Sequence, residues 1–197
     1  SFFLLILIKK YDKVRLKKSL ANNTYKEEEL MRIAIVYKGL TGNTKLVAEN
    51  IKKALKEDII YCGEPKDNLN AELYFIGSWT DKGMCCSEIA EFIKKLENKK
   101  IAYFGTAGFG GSREYYETLF SRVKSIIPAS NEVVGNFYCQ GKMPIRVRER
   151  YVALITEHPE DKQLEVSIKN FDEALSHPDQ DDLENIKKWA YSIVSTL

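Results

Sequence analysis

The sequence predicts an α/β fold, a doubly wound parallel sheet covered by helices on both faces. Three observations carry that prediction. Strand-length apolar runs at Ile33–Tyr37, Leu73–Gly77, Ile101–Gly105 and Val133–Cys139 read as strands buried on both sides. Between them lie stretches whose apolar residues recur at helical spacing. The first, third and fourth strands each run into a loop rich in glycine and small residues, the end of an open α/β sheet where ligands collect.

Taken in chain order, Ile33–Tyr37 is the first strand, and the helix from Asn43 to Lys56 should bury Leu46, Val47, Ile51, Ala54 and Leu55. Ile59–Cys62 is a short strand, residues 65–70 a loop, and Leu73–Gly77 the third strand. Residues 87–97 form a helix with Ile89, Phe92, Ile93 and Leu96 inward, followed by the strand Ile101–Gly105. Tyr116, Leu119, Phe120, Val123 and Ile127 mark another helix, and Val133–Cys139 a fifth strand. The last helix opens after Pro178, where Asp179, Asp181 and Asp182 favour its dipole, and buries Leu183, Ile186, Trp189, Ala190 and Ile193.

The junction after the first strand carries the most chemistry. An apolar strand, a loop of Lys38, Gly39, Leu40, Thr41 and Gly42, and a helix opening at Asn43-Thr44 together build an anion site. Backbone N–H groups and the positive end of a helix dipole supply the attraction. Gly39 and Gly42 permit close approach, and the hydroxyls of Thr41 and Thr44 can donate to phosphate oxygens. The alternative is that Thr41 and Asn43 only cap the helix. The loop has neither the spacing of a nucleoside-triphosphate P-loop nor that of a dinucleotide fingerprint.

In Tyr37, Thr41, Gly42, Thr44, Ala48 and Ile51 this segment resembles the phosphate loop of the flavodoxin family, with Gly39 where the family usually has its first hydroxyl. The resemblance implies the sheet order 2-1-3-4-5, with flavin mononucleotide (FMN) bound at the switch point between the first and third strands. It extends to two later loops, Gly77-Ser78-Trp79-Thr80-Asp81-Lys82-Gly83 and Gly105-Thr106-Ala107-Gly108-Phe109-Gly110-Gly111, which look like the two isoalloxazine-binding loops. Their glycines let backbone amides reach the edge of a flat heterocycle, and an aromatic can stack on its face. The resemblance makes Ser78, Trp79, Thr80, Asp81, Gly83, Thr106, Ala107, Gly108, Phe109 and Gly110 cofactor-binding candidates, with Trp79 and Phe109 as ring contacts. Core packing is the other reading of Trp79. In the family a peptide of the first ring loop reorients with the flavin's redox state; the candidate stretch here is Thr80–Gly83. Within the family the chain is similar to a subgroup sharing these two loops, some of whose members are associated with reductases of anaerobic bacteria, including bilirubin reduction.

Residues 143–176 depart from short-chain flavodoxins as a helical insertion. Ile145, Arg148, Tyr151, Val152 and Ile155 share one helical face, and Leu164, Ile168, Phe171 and Leu175 another. With Arg146, Arg148 and Arg150 near its start, the insertion is a docking surface for an acidic redox partner, a lid over the flavin, or a solvated helix pair packed on the sheet.

The remaining features bound the function. Cys62, Cys85, Cys86 and Cys139 show no metal or C-x-x-C spacing, and His158 and His177 both precede proline in polar stretches. Cys139 reads as filler at a strand end, and Cys85-Cys86 as a helix start. Reduced thiols in the cytoplasm are the expectation.

The apolar run Phe2–Ile8 is far short of the roughly 20 residues that span a bilayer, and its lysines follow it rather than precede it. Lys26-Glu27-Glu28-Glu29 before Met31 has the purine-only codons of a ribosome-binding site. Residues 1–30 are therefore expected to be upstream DNA read as protein, with the stub of a membrane anchor as the alternative, and residues 31–197 to be the FMN-binding domain. The net charge of +2 contains seven basic and four acidic residues of that segment, which leaves 23 basic and 24 acidic, or −1. A near-neutral domain has no footprint for nucleic acid or an anionic membrane.

The expected function is electron transfer by bound FMN to a partner oxidoreductase. The alternatives are an FMN-dependent NAD(P)H oxidoreductase of the quinone- or flavin-reductase type, and a flavin-free interaction module.

Overall fold

The computed structural model describes residues 31–55 and 59–197; the expectations for residues 1–30 and for Lys56 lie outside them. Five parallel strands form the sheet: β1 (Ile33–Lys38), β2 (Ile59–Gly63), β3 (Leu73–Asp81), β5 (Lys100–Ala107) and β6 (Glu132–Gln140). Their order is β2-β1-β3-β5-β6, the 2-1-3-4-5 arrangement expected for the five long strands. The addition is β4 (Met84–Cys85), a two-residue strand antiparallel to the end of β3.

That addition corrects the reading of residues 78–83. β3 continues past Gly77 to Asp81 and folds back through Lys82 (φ 49°) and Gly83 (φ 81°). Positive φ at both central residues gives the tight primed hairpin turn, for which Gly83 is suited and Lys82 is tolerated. β5 likewise runs on through Thr106 and Ala107, so the glycine-rich loop after it starts at Gly108.

Helices α1 (Asn43–Leu55) and α6 (Gln180–Thr196) cover one face, where Val47, Ile51, Ile186 and Ala190 pack on Ile33, Ile35, Phe75 and Phe104. Helices α2 (Ser87–Lys94) and α3 (Arg113–Lys124) cover the other, with Ile89, Phe92, Ile93 and Val123 on Val36, Tyr74, Ile76 and Tyr103. Leu46, expected inside, is 36% exposed, because the inward stripe of α1 centres on Val47 and Ile51. α6 opens as expected: Asp179 caps it, accepting from the N–H of Asp182, while the Asp182 carboxylate accepts from the N–H of Asp179.

The expected insertion forms α4 (Ile145–Glu157) and α5 (Lys162–Ala174). α5 is anchored by the fully buried Phe171, with Ser167 and Ala174 also inward. α4 buries no residue, and Ile145, Val152 and, on the turn after α5, Leu175 are 62%, 41% and 51% exposed. Helical periodicity puts these apolar residues on shared helical faces, and α4 packs on α5. No helix among the described residues is long and apolar enough to cross a membrane.

Candidate functional site

Strand register brings three loops to one edge of the sheet. Lys38 at the end of β1 pairs with Ser78, Ser78 with Gly105, and Trp79 with Thr106. The β1–α1 loop, the β3–β4 hairpin and the loop after β5 therefore leave adjacent strand ends, as the sequence implied.

Two glycines make the site by giving up their side chains to neighbouring rings. A Cβ on Gly77 would lie 2.1 Å from the ring of Phe104, its register partner on β5. A Cβ on Gly105 would lie 2.1 Å from the ring of Tyr138, its register partner on β6. Each aromatic thus lies across the glycine of the preceding strand, immediately below the loops.

In the first loop Gly42 has φ 87° with open space where a Cβ would stand, and Leu40, Thr41 and Gly42 are exposed. No acidic residue occupies the first turn of α1, which leaves its leading N–H groups free of a competing carboxylate there. The Asn43 amide donates to Thr41 Oγ1 at 2.8 Å and to the Lys142 carbonyl at 2.9 Å. With its oxygen accepting from Asn43, the Thr41 hydroxyl keeps its own proton for another acceptor.

Thr44 behaves differently from Thr41. Its hydroxyl is 2.9 Å from that of Thr106, and the two residues are 1% and 3% exposed. Thr41 is exposed, whereas Thr44 is buried and ties α1 to β5. The same packing bears on Gly39: a Cβ there would lie 3.1 Å from both Cβ and Oγ1 of Thr44. Thr44→Val is expected to cost about 1–2 kcal/mol in urea unfolding, by stranding the Thr106 hydroxyl in a buried place. The double variant with Thr106→Val, which removes both partners, should recover most of that loss. A double variant as unstable as the sum of the singles would contradict the pairing.

Lys38 is held by Glu64, with Nζ 2.7 Å from Oε2, and this bond pushes its pKa up. In the second loop Ser78 is fully buried, donating to the Trp79 carbonyl and accepting from the N–H of Cys86. Thr80 and Asp81 pair with Cys85 and Met84. Trp79 is half-buried, packed against the cluster on the α2–α3 face. Gly83 is tethered across the surface: Arg122 of α3 donates to its carbonyl at 3.3 Å. Ala107 is buried, whereas Gly108, Phe109 and Gly110 are half-exposed.

Four residues outside these loops hold them in place, and the sequence reading did not single them out as site residues. Gln140, Lys142, Met143 and Asn170 contact Gly108, Gly110 or Asn43. The unusual length of the segment after β6 marks the region of Lys142, Met143 and Asn170, but nothing in the sequence pairs them, or Gln140 on β6, with the loops.

Burial disfavours the thiolate form of the buried cysteines. Burial raises the pKa of Cys86, takes that of Cys85 up to about 11, and lifts that of Cys139 further still. A groove of about 540 Å³, lined by Ile155, Glu165, Ile168, Lys169, Asp172 and Glu173, lies between α4 and α5 rather than over the three loops.

The family model described as Flavodoxin domain matches residues 34–191, spanning all three loops and both insertion helices. The chain belongs to the flavodoxin domain family. It is 32% identical over 170 residues to the flavodoxin-like domain-containing protein BilS of Clostridioides difficile (strain CD3), covering 83% of this chain and 97% of that protein. It is 34% identical over 183 residues to the BilS protein of Clostridium symbiosum (strain WAL-14163), covering 83% and 96%. Among solved structures, a short-chain flavodoxin associated with a non-canonical PDU bacterial microcompartment superposes with a TM-score of 0.54 at 16% identity. That alignment covers 84% of this chain and 99% of the other, and it supports the shared fold.

Proposed function

We propose that residues 31–197 form an FMN-binding domain that carries electrons to and from a partner oxidoreductase in the cytoplasm. The observation that carries this reading is the oriented Thr41 hydroxyl beside Gly42 at the start of α1, on the same sheet edge as the two ring loops. FMN, when bound, supplies the electron chemistry.

The chain's own residues hold and shield the cofactor. Thr41, Gly42 and the leading N–H groups of α1 take the phosphate, within the loop Lys38–Thr44. Trp79 and Phe109 flank the ring, and the peptides of Ser78–Gly83 and Thr106–Gly110 bond its edge. Asn43 orients Thr41, while Thr44 and Ser78 act from inside the fold as fixed supports. A near-neutral domain opposes the negative charge of a reduced flavin less than a strongly acidic one would.

The partner is expected to present an acidic face. Lys142, Arg146 and Arg150 are exposed around Ile145 at the start of α4, next to the segment that supports the ring loop. Arg148 is not part of that set: it forms a two-point ion pair with Asp172, at 2.7 and 3.2 Å. This pairing also weighs against the second reading, an NAD(P)H oxidoreductase, in which Arg146 and Arg148 would bind nicotinamide-cofactor phosphates.

The two readings separate under anaerobic conditions. For a carrier, FMN-loaded protein mixed with excess NADH or NADPH keeps its oxidised flavin bands for minutes and bleaches with dithionite. Prompt bleaching by either nicotinamide alone would replace the carrier with the enzyme.

A further inference from the structure

The loop after β5 carries glycine at positions 108, 110 and 111, a composition that leaves its peptides free to take several orientations. One of them is fixed from outside the loop. The Asn170 amide, on α5, donates to the Gly108 carbonyl at 2.9 Å, and the Gln140 amide donates to the same oxygen at 3.1 Å. Gln140 donates in addition to the Asn170 side-chain oxygen at 3.1 Å, so the two amides brace one another. This closed set fixes which way each amide faces, since the carbonyl needs donors and the Gln140 amide needs an acceptor.

Packing holds the same peptide. A Cβ on Gly108 would lie 2.4 Å from Sδ of Met143, and one on Gly110 would lie 2.6 Å from Cδ of Gln140. Asn170 itself is placed by its neighbour Phe171, which is fully buried and anchors α5.

We propose that Asn170 is a positioning residue for the flavin ring: with Gln140 it locks the Gly108–Phe109 peptide so that the Phe109 N–H faces away from the insertion. The reason is the planar trans peptide, whose N–H points opposite to its C=O. With the carbonyl turned toward α5, the Phe109 N–H lies on the other side, as a donor for the edge of a flavin ring. The insertion thereby becomes part of the cofactor site without touching the cofactor. This rests on the reading of residues 108–110 as a ring-edge loop.

The test uses Asn170→Ala and the isosteric Asn170→Asp in the full chain, titrated with FMN and with riboflavin. Both variants should weaken the two ligands by the same factor, about fivefold, as expected for one lost hydrogen bond that acts on the ring and not on the phosphate. In the flavin-free proteins the Phe109 backbone amide resonance should shift and exchange faster with solvent. Should the alanine variant fail to fold, the aspartate variant decides, since it keeps the shape and loses the donor. Unchanged flavin affinities with an unmoved Phe109 amide would overturn the proposal. So would a lowered melting temperature with that amide unmoved, which is the mark of a merely structural residue. If the unaltered chain binds neither flavin, the FMN reading falls, and the Phe109 amide alone decides the positioning role.

Discussion

Gly77→Ala is expected to destabilise the folded domain by about 3 kcal/mol or more, the upper range for forcing a group into a filled core. The added methyl would stand 2.1, 2.2 and 2.8 Å from three ring carbons of Phe104. Phe104 is fully buried in the cluster with Phe75, Ile35 and Ala48, and in a close-packed core a displaced ring meets its neighbours. Relief has to come from the backbone of β3 or β5, and these are the strands that deliver the two ring loops. Urea unfolding of the purified variant reads the loss. Adding Phe104→Leu, which shortens the ring side chain, should return part of it. A loss under about 1 kcal/mol would mean that the sheet yields more easily than its packing implies.

Asn43→Ala is expected to separate the phosphate loop from the rest of the site. The side chain is 7% exposed and its amide makes two bonds, to Thr41 Oγ1 and to the Lys142 carbonyl. Gly141 is shaped around it, since a Cβ there would lie 2.5 Å from Nδ2. Losing both bonds should cost about 2 kcal/mol of stability. The functional effect is sharper than the structural one, because Thr41 would no longer be oriented. FMN affinity should fall about tenfold, while riboflavin, which lacks the phosphate, should be affected far less. An equal loss for both ligands in titrations of the folded variant would show that Asn43 acts on the ring side of the site.

The strands and the three loops were legible because each depends on local chemistry. Continuous apolar runs marked β1, β3 and β5, and Asp179 with Asp182 announced the start of α6. The end of β3 was hidden, since Ser78-Trp79-Thr80-Asp81 is polar enough to pass for a loop and its pairing with β4 is a tertiary fact. α4 was legible as a helix, but its periodicity did not say what its apolar face meets. Ile145 and Val152 share one face, and with the helix resting on α5 both stay in solvent. Thr44 was legible as a phosphate-loop candidate from its place in the motif, but its bond to Thr106 spans 62 residues of sequence and was not. The supports at Gln140 and Asn170 were out of reach for the same reason. So were the two glycine–aromatic pairs, which exist only once the strand register is known.

The measurement that tests the central claim most directly is flavin retention by the full chain. Purified protein is mixed with excess FMN, passed over a desalting column, and its absorption spectrum recorded, with riboflavin run in parallel. The account predicts one retained FMN per chain, bands shifted from those of free flavin, and markedly weaker retention of riboflavin. Folded protein that emerges without flavin would contradict it, and would leave the three loops serving some other ligand or none.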